Sequence, residues 1–292
     1  MRKNFFKEDK KIKYFYEKKV KNMIYIISFG SDRSFLKICK KVLISLKNLY
    51  PNAFYFNYQS KDLDINIVNY CKKYKRGYGY WIWKPYLILK TLRKMPIGST
   101  LLYVDGRTGL HPNCKKIDWF DKFINSNRHD IGLFKTIHEE YKWTTADLFS
   151  LFNLTPDSND ASNTQYCATY FCLKNNIKTQ KFVEAWLDIL INKSHLCRDE
   201  FSYKSNHKKF IENRHDQSVL SLLTKYSKKY MDLKVFNIPH PLKVKKPTLI
   251  PHYYYRPTSF YNLIKRYIKL TLVFIGILGK KHIGKYYDGL RI

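Results

Sequence analysis

Met23-Ile-Tyr-Ile-Ile-Ser-Phe-Gly30 is a short apolar, β-branched run stopped by a glycine, the pattern of a buried strand. Phe35, Ile38, Val42, Leu46 and Leu49 then recur at helical spacing before Pro51, and Ala53 to Tyr58 reads as a second strand. This strand, helix, strand opening constrains the chain more than any other stretch. Strands joined by a helical crossover lie parallel, and the crossover is right-handed. The expected fold is therefore α/β, one Rossmann-type domain on a mostly parallel central sheet. Ligands of such sheets bind beyond the carboxyl ends of the strands, which puts Ser28 and Gly30, with Phe29 and Ser31, at a site. The G-x-G-x-x-G fingerprint is absent, which argues against a nicotinamide or flavin enzyme.

The stretch Arg76-Gly-Tyr-Gly-Tyr-Trp-Ile-Trp-Lys-Pro-Tyr86 is the densest local signal. Its glycines loosen the backbone, and Pro85 suits the first turn of a helix while pushing Lys84 toward an extended conformation. Backbone donors at that helix start, beside a fixed cation, favour an anion such as phosphate. Trp81 and Trp83 offer flat faces for a sugar or nucleobase, or simply an aromatic plug under a loop.

Thr100-Leu-Leu-Tyr-Val-Asp105 reads as an apolar strand ending on a carboxylate, with Gly106, Arg107, Thr108 and Gly109 forming a turn. An acid at a strand tip suits a divalent cation or a sugar hydroxyl, and a helix or turn cap is the plain alternative. Ile131 to Phe134 reads as a strand, Thr144 to Phe152 as a short helix, Leu154 to Gln165 as a surface loop and Tyr166 to Lys174 as a returning strand. Phe182, Val183, Trp186, Leu187 and Leu190 form a helical core stripe. Arg214-His-Asp-Gln217 leads into the apolar residues Val219 to Leu223, so His215, Asp216 and Gln217 fall at a helix start. Capping explains one of them, and three groups able to accept, donate and titrate exceed what a cap needs. His240, His252 and Tyr253–Arg256 are candidates to close one side of the pocket.

A net charge of +31 over 292 residues is the compositional outlier, and it usually means nucleic acid or an anionic membrane. The lysines are scattered and no helix-turn-helix, zinc-finger or RNP-like signature appears, which argues against specific nucleic-acid binding. Six cysteines without a C-x-x-C pair point to free thiols in a reducing compartment. The basic start, residues 1–22, lacks the apolar core of a secretory signal. Leu270 to Leu278 is apolar but too short to span a bilayer, and its flanking lysines suit an interfacial helix on an anionic leaflet or a docked C-terminal helix. The expected organisation is a basic extension (1–22), a catalytic domain (23–256) and a basic amphipathic tail (257–292).

In order and spacing, GYWIWKPYLILKTL (from Gly79), LLYVDGRTG (from Leu101), QYCATYFCLKNNIKTQKFVEAWL (from Gln165) and RHDQSVLSLL (from Arg214) resemble a family of bacterial glycosyltransferases from capsule and lipopolysaccharide gene clusters. The resemblance runs from about Met23 to about Arg256. It implies a GT-A type fold and transfer of a sugar from a nucleotide-diphosphate donor to a glycan or lipid-linked acceptor. It also implies that Trp83 and Lys84 shape the donor pocket, that Asp105 is the strand-tip acid, and that Asp216 and Gln217, beside His215, face the sugar. Arg76 and Tyr80 join the donor wall. Arg107 stands where an Asp-x-Asp enzyme has its second acid. Two ways of neutralising the diphosphate therefore stay open: manganese or magnesium on Asp105, or Lys84, Arg107 and Arg76 directly. A cytoplasmic protein lying peripherally on the inner face of the membrane is the location this implies. The rival readings are a basic nucleic-acid-binding protein and an inactive relative that binds glycans.

Overall fold

The computed structural model describes residues 23–106, 108–110, 114–126, 128–237 and 249–251. The basic extension, the tail, Arg107, His240, His252 and Tyr253–Arg256 lie outside these residues.

The opening forms as the pattern predicts: β1 (Ile24–Gly30), α1 (Arg33–Leu49) and β2 (Phe54–Gln59). Asp32 caps α1 by accepting from the backbone N–H groups of Ser34 and Phe35. Next come α2 (Ile65–Lys73), the one-turn segment α3 (Gly77–Tyr80) and α4 (Trp83–Leu92). β3 (Thr100–Val104), β4 (Thr108–Leu110), α5 (Asp118–Asn125) and β5 (Ile131–Glu139) follow. Short helices α6 (Glu140–Trp143), α7 (Ala146–Leu151) and α8 (Asn159–Ser162) precede β6 (Thr164–Tyr166) and β7 (Tyr170–Lys174). Then α9 (Ile177–Asn192), α10 (Asp216–Ser227), β8 (Leu233–Asn237) and β9 (Leu249–Pro251) complete the described elements.

The main sheet runs β2-β1-β3-β7-β5, with β6 continuing along the β7 edge of β5 and β8 on its other edge. β1, β2, β3, β5 and β8 point one way, and β6 and β7 run against them. The sheet is thus mixed but mostly parallel, and the fold is α/β as expected. Alternation along the strands divides the core into two faces. Ile27, Leu101, Tyr103, Phe171 and Leu173 pack toward Leu87, Ile88, Trp186 and Leu220, from α4, α9 and α10. Ile26, Leu102, Val104, Tyr170 and Cys172 pack toward Val42, Leu46, Phe120 and Phe123, from α1 and α5. All six cysteines are buried free thiols.

Two local expectations change. The strand expected over Tyr166 to Lys174 is broken at Cys167–Thr169, so it pairs with β5 as β6 and then as β7. Pro85 does stand in the first turn of α4, but the helix already begins at Trp83, so Lys84 is helical instead of extended. Its N–H donates to the Trp81 carbonyl at 2.9 Å.

Candidate functional site

The carboxyl ends of β1 and β3 and the break between β6 and β7 meet at one end of the sheet, where α4 and α10 also begin. Their side chains converge on Lys84. Its ammonium donates to Asp216 Oδ2 at 2.6 Å and to the Ala168 carbonyl at 3.1 Å, and lies 3.8 Å from Asp105 Oδ2. The Tyr103 hydroxyl donates to Asp105 Oδ1, an (i, i+2) pair on one face of β3 that turns the acid toward the lysine. The rings of Tyr103 and Trp83 lie 5.4 and 5.8 Å from the ammonium.

Lys84 and Asp216 are 2% and 4% exposed, so neither reaches solvent freely. Burial pushes the Lys84 pKa down, but the charges of Asp105 and Asp216 outweigh it and the net direction is up. Burial raises Asp216 to about 6 against the opposing pull of Lys84. Burial also raises Tyr103 well above its ordinary value, helped by the Asp105 charge. One cation serves two carboxylates, which leaves the cluster with an excess negative charge when both are ionised. Asp105 retains about a quarter of its side-chain exposure and is the group that faces out.

Behind this triad the break between β6 and β7 acts as a connector. Ala168 N–H donates to Gln217 Oε1 at 3.2 Å while its carbonyl accepts from Lys84. Asp105 N–H donates to the Thr169 carbonyl at 2.8 Å. Gln217 Nε2 donates to Gln165 Oε1 at 2.9 Å, so both ends of its half-buried amide have partners within the protein. Gln165 in turn donates to Glu140 at 2.8 Å. Glu140, fully buried, pairs with Lys225 at 2.7 Å.

The aromatic stretch is built unusually. Gly77, Tyr78, Gly79, Tyr80 and Trp81 all have positive φ, between 51° and 79°. A left-handed conformation costs each non-glycine residue about 1–2 kcal/mol, and three of the five are aromatic. Packing holds the turn in place. Trp83 stacks on Phe29 at 4.2 Å and its Nε1 donates to the Gly77 carbonyl at 3.1 Å, so Trp83 is the plug of the two readings, not a ligand platform. A Cβ on Gly79 would stand 2.7 Å from Cys71 Sγ. Trp81 stacks on His215 at 5.6 Å, and the Tyr80 hydroxyl donates to Asp199 at 3.1 Å.

His215, at the head of α10, has φ 53° and is 2% exposed. Its Nδ1 lies 2.7 Å from the Cys197 carbonyl and its Nε2 lies 3.7 Å from Asp199 Oδ1. Burial, then the nearby Arg76 charge, lowers its pKa to about 4, so the ring is neutral at pH 7. Arg76 is itself engaged by Asp199 at 2.5 Å and Glu212 at 3.2 Å. Ser28 is buried beside the Cys39 thiol, and Gly30 ends β1.

The structure therefore draws Lys84, Asp105 and Asp216 together, and groups Arg76, Tyr80 and His215 around Asp199. Sequence reasoning missed Asp199, Tyr103, Gln165 and Ala168. Only Tyr103 carried a signal, its position two residues before Asp105. Among the described residues, no group of three or more His, Cys, Asp or Glu side chains has the arrangement to hold a metal. Asp105 offers a cation one carboxylate, already bonded to Tyr103 and close to an ammonium. The described residues do not fit a cation held by protein alone.

The chain matches no known family model and no curated protein in sequence. Its fold is similar to several solved structures. A glycosyltransferase involved in glycosylation of the major capsid of PBCV-1 aligns at 12% identity and TM-score 0.45, over 81% of this chain and 94% of that one. The galactosyltransferase LgtC, in complex with donor and acceptor sugar analogs, aligns at 11% identity and TM-score 0.39, over 73% of each chain. A putative glucose-1-phosphate thymidylyltransferase from Bacillus anthracis aligns at 7% identity and TM-score 0.37, over 74% of this chain and 86% of that one. Likenesses this weak assign no activity to the chain.

Proposed function

We propose that the protein transfers a sugar from a nucleotide-diphosphate donor to a hydroxyl of a surface glycan or its lipid-linked precursor. The supporting observation is the Lys84-bridged pair Asp105 and Asp216, set where the parallel strands β1 and β3 end. Glycosyl transfer passes through a centre with cationic sugar character, and an excess carboxylate beside it is stabilising. Asp105, the outward member, is also placed to orient or deprotonate an acceptor hydroxyl. Lys84 and Asp216 stand behind it as positioning residues: the lysine fixes Asp105, and Asp216 holds the lysine charged. The leaving diphosphate needs positive charge that Lys84 and Arg76, both already paired, do not offer freely. Arg107, two residues past Asp105 in sequence, is the candidate to supply it.

A thermal-shift panel of nucleotide sugars, each with and without manganese, tests this reading. One diphosphate sugar should raise the unfolding temperature by several degrees, and an effect of manganese on that shift would separate the two sources of charge. A flat panel under both conditions would overturn the assignment. The rival nucleic-acid reading predicts strongly salt-dependent binding to random duplex or single strands.

Attachment to an anionic inner leaflet through residues 257–292 is part of the same proposal. No described helix is long and apolar enough to cross a membrane. Flotation with anionic liposomes, comparing the full chain with one ending before Tyr261, checks it; equal flotation removes the tail's role.

A further inference from the structure

Residues 198–215, between the short 3-10 turn Ser194–Cys197 and α10, form a loop whose backbone is firmly held. Tyr203 and Lys204 N–H groups donate to Asp147 at 2.6 and 3.0 Å, and Asp147 N–H donates to Ser202 Oγ at 3.3 Å. Ala146 N–H donates to Asn206 Oδ1 at 2.7 Å, and Arg198 pairs with Glu200 at 2.6 Å while lying over the Tyr74 ring at 4.7 Å. Yet this anchored loop presents Phe201 at 100% exposure and Tyr203 at 94%, the two most exposed large hydrophobic side chains described. Leaving such rings in water forgoes about 1.5–3 kcal/mol each.

At their base lies a cleft of about 280 Å³ lined by Thr145, Asp147, His195, Glu200 and both aromatic residues. Flat rings beside carboxylate and imidazole groups match a pyranose, which presents a C–H face to stack and hydroxyl edges to hydrogen-bond. The cleft lies next in the chain to the cluster around Asp199. Asp199, which holds Arg76 and Tyr80, is two residues from Phe201, so their Cα atoms stand within about 7.6 Å.

We infer that Phe201 and Tyr203 form an acceptor subsite, which holds a sugar residue of a glycan at a position beyond the one being extended. This rests on the glycosyl-transfer reading for its biological sense but not for its binding chemistry.

The test uses the full chain on a printed array of bacterial and eukaryotic glycans of two or more sugars, followed by titration of the best-bound oligosaccharide. The wild type should capture a related set, and the double variant F201A/Y203A should bind about tenfold more weakly. Circular dichroism confirms that the variant is folded, and the aromatic exchange F201Y/Y203F should restore binding. Either no glycan captured by the wild type, or equal titrations for wild type and F201A/Y203A, overturns the subsite. A flat nucleotide-sugar panel with glycan capture intact would instead overturn the transfer reading and leave the subsite standing.

Discussion

Lys84 and Asp216, separated by 132 residues in sequence, meet at 2.6 Å in a site closed to solvent. An ion pair this buried contributes little net stability over an apolar substitute, but removing one member strands the other. Lys84→Met should therefore cost about 3–5 kcal/mol in urea unfolding. The double variant K84M/D216L should recover much of that loss, and losses that simply add would show that the two residues are not coupled.

Asp105 and Asp216 are distinguishable by what else they support. Asp105→Asn should lower transfer about 100-fold while the unfolding temperature stays near wild type, because Asp105 is partly exposed and lies 3.8 Å from the ammonium. Asp216→Asn should lower transfer comparably and also lower the unfolding temperature. An active Asp216→Asn enzyme removes that residue from the machinery.

Acid stability should reveal two opposing groups. Asp216, raised to about 6 by burial, binds protons in the folded state before it does in the unfolded chain, so it favours folding as pH falls from 6 to 4. His215, lowered to about 4 mainly by burial, does the reverse: the unfolded chain takes up the proton first, and stability is lost as pH falls from 6.5 to 4. The two should largely offset in the wild type. In D216N only the histidine remains, and stability should drop on the order of 3 kcal/mol across that window. Urea midpoints between pH 4 and 7 give the answer, and a D216N slope no steeper than the wild type would refute it.

The left-handed turn should resist side chains. Gly79→Ala places a methyl 2.7 Å from Cys71 Sγ and 3.0 Å from its Cα, at φ 79°. A loss of about 1–3 kcal/mol is expected by chemical unfolding, of which Cys71→Ala in the same chain should return only part, since the backbone contact persists.

The β1, α1 and β2 opening was legible because its residues repeat at strand and helix periods over enough length to exclude alternatives. Asp105 and the head of α10 were legible as chemistry placed at element ends. β8 escaped notice because Leu233–Asn237 is short, lysine-containing and only half-buried, so it shows no clean alternation. Glu140 and Lys225 could not be paired from sequence, since 85 residues and six intervening elements separate two ordinary charges. The partners of Gln217 were not legible, because an amide beside an acid has no local mark telling which groups it will bond. Sequence left Trp83 open between platform and plug for the same reason.

β9 places Pro251 opposite Thr108, three residues from Asp105. The chain therefore leaves the described residues at Pro251, beside the strand that follows Asp105. If the proposed attachment through the tail holds, an acceptor on that surface would meet Asp105 at a raised effective concentration, because the chain joining them is short in sequence. Under the proposed function, weak intrinsic affinity for a single acceptor would then suffice on a crowded surface, and transfer to acceptors free in solution would be slower.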